Sequence, residues 1–144
     1  MTASELPSLP PPLQTRFQEK VGNILYLASH SRPDLIYSIT QLSRRSNKTT
    51  TKDMAAVDKL LRYIASTLDL GLTFCTHDDS FALFAYVDSS YDCYADIKSH
   101  NGISLHLGRH SGAFLFLSKK QKITADSSTV AEFVAIHFAC QKIL

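Results

Sequence analysis

At 144 residues and 16.0 kDa the chain holds one domain's worth of core, which excludes a multi-step enzyme. Apolar residues make up 44%, with 8 Phe and 6 Tyr against 5 Gly and 5 Pro, so disordered and fibrous classes are excluded as well. A net charge of +2 advertises no strong field for nucleic acid or membrane, and a charged fraction of 19%, below the roughly 25% of average soluble chains, points to a piece of something larger or to a covered interface.

Residues 1–13 carry Pro7, Pro10, Pro11 and Pro12 and read as a Pro-rich tail or linker. Three helical patterns follow over residues 14–70. Phe17, Val21, Ile24, Leu25 and Ala28 make the first apolar stripe. The second helix is expected to open at Ser31-Arg32-Pro33-Asp34, with Ser31 as cap, Pro33 in the first turn and Asp34 at the positive end of the dipole. Leu35, Ile36, Ile39 and Leu42 form its buried face, and a polar connection carrying Arg44, Arg45 and Lys48 follows. The third helix starts near Thr50 with Asp53 in a capping box, and its stripe is Met54, Val57, Leu61 and Ile64.

After Gly71 the apolar period becomes that of strands. Residues 72–75 and 81–87 are predicted strands around a polar turn at 76–80. Residues 102–107 and 113–117 are two more, joined through Gly108 and Gly112. The last segment, 128–144, returns to helical spacing through Phe133, Ile136, Cys140 and Ile143. Helices, then a strand meander, then a helix give an α+β chain. Residues 1–74 hold 9 basic and 6 acidic side chains, net +3, and residues 75–144 hold 6 and 7, net −1. Cys75, Cys93 and Cys140 are odd in number and lack the close pairs of zinc sites, which reads as a reducing, intracellular setting, cytoplasmic or nuclear. No apolar run approaches the roughly 18 residues that span a bilayer, so no membrane partner is expected.

Two carboxylates stand out. Asp88 is expected just past an apolar strand, where it either caps a turn or needs a metal, a donor or a proton. Glu132 lies in the first turn of the last helix, three residues after Thr129, where on its own it reads as the capping-box glutamate of Thr129-x-x-Glu132. Together a strand-end Asp and a helix-start Glu suit one divalent cation, with oxygen donors favouring Mg²⁺. Elsewhere, His106 and His110 have the spacing of a helical metal pair but fall on a strand and turn, which favours surface histidines. Lys119, Lys120 and Lys122 form a short basic run that reads equally as a nucleic-acid contact or a solvated face, and Arg44, Arg45 and Lys48 read the same way.

Residues 14–144 resemble a segment of the Pol polyprotein of copia-type LTR retrotransposons, from the end of the reverse transcriptase into its ribonuclease H domain. The resemblance rests on Val21-Gly22-Asn23-Ile24-Leu25-Tyr26-Leu27, Ser31-Arg32-Pro33-Asp34-Leu35-Ile36-Tyr37 and Leu60-Leu61-Arg62-Tyr63-Ile64-Ala65-Ser66-Thr67-Leu68-Asp69. Tyr86-Val87-Asp88-Ser89-Ser90-Tyr91, Lys98-Ser99-His100-Asn101-Gly102, Ser118-Lys119-Lys120-Gln121 and Ser127-Ser128-Thr129-Val130-Ala131-Glu132-Phe133 follow in the family's order.

The resemblance implies a helical thumb or connection-like region over 14–70 and a truncated ribonuclease H-like strand meander with one helix over 71–144. It implies Asp88 and Glu132 as the first two carboxylates that hold Mg²⁺ for cleaving RNA in an RNA–DNA hybrid. The family often has an acidic residue where Val130 stands and Trp where Tyr91 stands, and neither change removes a metal ligand. Its third catalytic Asp lies on a later strand, and its Tyr-x-Asp-Asp reverse-transcriptase motif lies upstream, so the expectation is a retrotransposon fragment or remnant with an incomplete active site. Partners implied are an RNA–DNA hybrid or other nucleic acid, element-encoded Pol, and a second copy through an exposed strand edge. The rival expectation is a non-catalytic nucleic-acid-binding or Pol-interacting protein of the same origin.

Overall fold

The computed structural model describes residues 7–75, 82–91 and 98–144, and these divide into two compact units at the Gly71/Leu72 boundary. The predicted turn at 76–80, Phe81 and Cys93 lie outside the described residues.

The first unit is helical. Helix α1 spans Pro11–His30, a 3-10 turn Pro33–Leu35 leads into α2 at Ile36–Ser43, and α3 spans Thr51–Ser66. The proline segment thus ends earlier than its composition suggests: Pro11 and Pro12 occupy the first turn of α1, where a missing N–H has no helical partner to lose. The extended residues ahead of it are pinned by the Leu9 amide, which donates to the Thr49 carbonyl at 2.8 Å. Phe17, Val21, Ile24 and Ala28 of α1 pack with Leu35, Ile39 and Val57, and Leu27, Met54, Leu60 and Ile64 close around them. Each large apolar side chain so buried contributes about 1.5–3 kcal/mol. Two stripe positions turn outward: Leu25 and Leu61 are exposed, and Leu60, three residues after Val57, takes the inward place expected of Leu61.

Ser31 does not cap the second helix. It closes α1 instead, its amide donating to the Leu27 carbonyl, and Arg32 precedes the 3-10 turn. Arg32 is nearly fully buried and reaches in two directions. Its Nε and Nη2 donate to the two Asp34 carboxylate oxygens at 3.0 and 2.8 Å, while Nη1 and Nη2 donate to the Thr67 carbonyl and Oγ1, both at 2.9 Å. The Tyr63 ring lies 5.5 Å from the guanidinium carbon. The hydrogen bond from Arg32 holds the Asp34 carboxyl below its ordinary value, and that same bond raises Arg32. At the start of α3 the expected capping box is present: Thr50 Oγ1 accepts from the Asp53 amide, and Asp53 Oδ2 accepts from the Thr50 amide at 2.9 Å. Burial works against the Asp53 charge, but the Thr50 and Arg45 donors outweigh it, and its pKa falls.

The second unit is an antiparallel sheet of order β1-β2-β3, with β1 Leu83–Ser90, β2 His100–Leu107 and β3 Ala113–Lys120, covered by α4 at Ser128–Ile143. Together with the first unit this makes the chain α+β, as its pattern predicts. Residues 72–75 form no strand, correcting that expectation; the Thr73 carbonyl accepts one isolated bond from the Gly112 amide at 2.7 Å. A Cβ on Gly112 would sit 2.9 Å from that same carbonyl oxygen, and Gly108 adopts φ 90°, so the β2–β3 connection needs glycine at both places.

Register fixes which residues share a face. Val87 pairs with Ile103 and Ile103 with Leu117; one step along, Ala85 pairs with Leu105 and Leu105 with Leu115. Ile103 and Leu105 form a buried cluster with Ala139 of α4, and Val87, Leu115, Leu117 and Phe138 pack on it. The helix therefore lies on this face. Its inward stripe is Ala131, Ala135 and Ala139, whereas Phe133, Ile136, Cys140 and Ile143, the residues that marked its helical spacing, are exposed. Alanine lets the helix backbone approach the sheet closely, and a helix apolar on nearly all sides carries no sequence signal for which side that is.

Candidate functional site

Asp88 belongs to β1 itself, two residues before its end, opposite Gly102; it does not lie past the strand. The reason is that pairing continues through the polar Ser89 and Ser90, opposite Asn101 and His100. Side chains alternate along a strand, so Asp88 projects from the face opposite Val87, away from α4. It is exposed and has no hydrogen-bond partner among the described residues.

Glu132 stands on α4 but not in a capping box. The cap is Ser127, whose Oγ accepts from the Val130 amide at 3.2 Å, and this puts Val130 at the position where a capping-box glutamate would stand. Thr129 is already inside the helix, which corrects the expected Thr129-x-x-Glu132 pairing. Glu132 is half-buried, lines a recess with Ser128, Thr129, Phe133 and Ile136, and has no partner among the described residues.

A buried polar tie brings the two elements to one end of the sheet. Gln121, 4% exposed, donates through Nε2 to Asn101 Oδ1 at 2.7 Å and to the Ala131 carbonyl at 2.8 Å. Asn101 pairs with Ser89, the neighbour of Asp88, and Ala131 precedes Glu132. Thus Gln121 ties β2, at the residue opposite Ser89, to the helix start bearing Glu132, while Asp88 itself projects from the opposite face of the sheet. Ser89 Oγ and Gln121 Oε1 are buried at the same place without a hydrogen-bond partner among the described residues. Sequence reasoning missed this tie; nothing local marks a glutamine that bonds residues 20 and 10 positions away.

Among the described residues no three His, Cys, Asp or Glu side chains gather as a metal cage. The histidines at 106 and 110 do not act as a pair. His106 Nδ1 lies 2.8 Å from the Ser111 carbonyl, which can only accept, so that nitrogen carries the proton; Nε2 then accepts from Ser104 Oγ at 3.1 Å. His100 Nε2 lies 2.6 Å from Ser118 Oγ, on the same sheet face as Asp88. Lys119 and Lys120 end β3, and Lys122 follows it, beside α4. Arg45 binds Asp53 at 2.9 Å and thus serves the first unit's capping box. No helix among the described residues is long and apolar enough to cross a membrane.

Comparison with known proteins gives relatives but no structural neighbour. The chain is 36% identical over 129 residues to the retrovirus-related Pol polyprotein from transposon RE2 of Arabidopsis thaliana, and 34% identical over 123 residues to that from transposon RE1 of the same plant. These matches cover 89% and 85% of the chain but only 8% of each polyprotein. A secreted RxLR effector protein, number 161, of Plasmopara viticola is 34% identical over 85% of the chain and 84% of its own length. No family model matches the chain. No solved structure matches it either.

Proposed function

Because the chain belongs to the Pol family of copia-type LTR retrotransposons, we propose that its first unit derives from the helical end of a reverse transcriptase and its second from the opening of a ribonuclease H domain. The chemistry of origin is Mg²⁺-dependent hydrolysis of RNA in RNA–DNA hybrids. The observation that carries this reading is the chain's 34–36% identity to copia-type Pol polyproteins over 85–89% of its length, in which Asp88 on β1 and Glu132 on α4 are the carboxylates that the family's motif order assigns. Two carboxylates without other partners are the hard oxygen donors that Mg²⁺ takes. When bound, the ion supplies a Lewis acid and an activated water.

The chain's own residues do the positioning. β1 presents the Asp88 carboxylate from a paired ladder, so its backbone is held rigidly by β2. Glu132 is offered from α4 at a height set by the alanine contacts and by Gln121. Mg²⁺ keeps several waters and is commonly held by one or two carboxylates, so single carboxylates bind an ion weakly and do not fix the pair of ions that hydrolysis uses. Weak metal binding with little or no hydrolysis is therefore expected of the 144-residue chain.

The test is Mn²⁺ titration of isotopically labelled protein followed by NMR. Because Asp88 faces away from α4, paramagnetic broadening is expected to be independent at residues 88–90 and 131–133, and Asp88→Asn should remove it at 88–90 alone. Loss at both places in Asp88→Asn would overturn this and show one shared ion. Robust Mg²⁺-dependent cleavage of a hybrid, lost in Asp88→Asn, would overturn the expected inactivity.

A further inference from the structure

Two apolar features of the second unit lie on one flank. Val134 and Ile136 sit one residue either side of the inward-facing Ala135, turned from it by about 100° in opposite senses. Val134 lines a groove with residues at the end of β3, so Ile136 overhangs the other side, toward β1, whose outer edge is open among the described residues. Phe133, Ile136, Cys140 and Ile143 are all exposed there. Their spacing of three, four and three residues is that of a helix–helix seam. It is also symmetric about position 138. Two such helices running antiparallel therefore set Phe133 of each against Ile143 of the other, and Ile136 against Cys140.

The edge of β1 has a matching symmetry. The Ala82 carbonyl accepts from the Gly108 amide at 2.9 Å, which sets the phase of the ladder. Residues 84, 86, 88 and 90 thus turn their backbone groups to β2, and residues 83, 85, 87 and 89 turn theirs to the open edge. Pairing β1 antiparallel with a second β1 about Tyr86 puts Leu83 opposite Ser89 and Ala85 opposite Val87, outward groups against outward groups. Asp88, the one charged residue of the strand, then meets Phe84 and not its own copy.

Both symmetries fall on one axis. Gln121 holds Ala131 level with Asn101, the partner of Ser89, and Ala139 packs with Ile103 and Leu105, the partners of Val87 and Ala85. Position 138 of α4 is therefore level with Tyr86 of β1. Leu83 and Ala85 share the face of Val87 and stay exposed, so the second half of α4 lies over β2 and leaves the edge clear. With strands about 4.8 Å apart, a helix over the line between β1 and β2 stands about 5 Å from an axis at the outer side of β1. Two copies then hold their helices about 10 Å apart, an ordinary packing distance. The flank is roughly 27 Å long and about 20 Å deep across sheet and helix. Two copies bury about 1,000 Å² in total, the size at which specific interfaces begin.

We propose that this flank docks a second copy of the chain about a two-fold axis at Tyr86, with β1 pairing to β1 so that the two sheets become one, and the two α4 helices packed antiparallel on the same face. It goes beyond the cleavage reading, because it needs neither metal nor nucleic acid. One axis satisfies the open backbone groups and the apolar stripe together, which is the mark of an isologous contact.

The test is sedimentation velocity of the full chain over a concentration series, under reducing conditions, with one variant for each half of the interface. Ile136 is exposed in the single copy, and Ala85→Pro removes an N–H that faces the open edge and makes no bond to β2, so both variants should keep the wild-type circular dichroism when dilute. Ile136→Glu is expected to raise the dimer dissociation constant about a hundredfold, since each dimer loses two apolar contacts and buries two carboxylates. Ala85→Pro should raise it about tenfold or more, through two lost ladder bonds. Cross-linking then reads the geometry. With Cys75, Cys93 and Cys140 replaced by Ser, the pair Phe133→Cys and Ile143→Cys should form an intermolecular disulfide on mild oxidation, mapped by mass spectrometry between positions 133 and 143. Ten residues of helix, about 15 Å, keep the two thiols of one chain apart. A wild type that stays monomeric at millimolar concentration would leave the flank to another strand donor and overturn the proposal. Dimers that Ala85→Pro breaks and Ile136→Glu does not, or either single-cysteine variant cross-linking as readily as the pair, would overturn the shared axis.

Discussion

Arg32 is the side chain on which the first unit most depends at a single point. Its planar fork joins Asp34 bidentately while the other edge reaches the end of α3, so one residue closes the α1–α2 corner onto Thr67. Arg32→Ala is expected to cost roughly 2–3 kcal/mol, less than for a fully buried pair because Asp34 keeps 35% side-chain exposure. Arg32→Lys should recover little of it, since an ammonium cannot bridge both partners at once. Urea denaturation of the three proteins checks this; equal midpoints for Arg32→Lys and wild type would show that charge alone suffices. Asp34 and Asp53 add a pH dependence. Both pKa values are lowered in the fold relative to the ordinary 3.8, so the unfolded chain binds protons first as pH falls. Their stabilisation is fully present above pH 3.8 plus about one unit and is lost as pH drops through the folded values. Helical circular dichroism should thus hold a constant melting temperature from pH 7 to about 5 and lose it steeply below about 4; a melting temperature that rises on acidification would contradict both assignments.

At the scale of elements, α3 and α4 start differently. α3 opens with a complete box, Thr50 and Asp53, whereas α4 has a serine cap with Val130, exposed, at the position of the return partner. Val130→Glu is expected to stabilise the second unit by about 0.5–1 kcal/mol, by completing the box and by placing negative charge at the positive helix end. A thermal melt checks the sign, and no gain at low salt would show that Ser127 is already satisfied otherwise. The element scale also explains which sequence patterns misled. The apolar residues Phe133, Ile136 and Ile143 have helical spacing but point outward, because α4 meets the sheet through Ala131, Ala135 and Ala139. Periodicity identifies a helix; it does not say which apolar side finds a partner when several are available.

Taken over the whole molecule, the second unit leaves much apolar surface uncovered. β1 pairs only with β2 among the described residues, and Leu83 and Tyr86 on it are 44% and 52% exposed. Phe133, at 67%, and Ile136 add to this on α4. A strand edge with free backbone groups beside apolar side chains pairs readily with another chain. Concentration-dependent self-association is therefore expected in sedimentation velocity, and Leu83→Lys on the edge strand should shift it toward monomer. A wild-type chain that remains monomeric at high concentration would show this edge to be protected.

The sequence by itself determined the α+β order, the stripes of α1 to α3 and the Thr50–Asp53 box, because each depends on neighbours three or four positions apart. Family membership was legible for a related reason: short motifs in a constant order survive when their contacts diverge. What only the tertiary structure decided were the long reaches: Arg32 to Thr67, and Gln121 to Asn101 and Ala131. The same holds for the face of Asp88, which depends on where β1 ends, and that is set by pairing with β2, not by the apolar run. A buried polar side chain must find a partner wherever the fold brings one, at any separation along the chain, and local pattern carries no record of that distance.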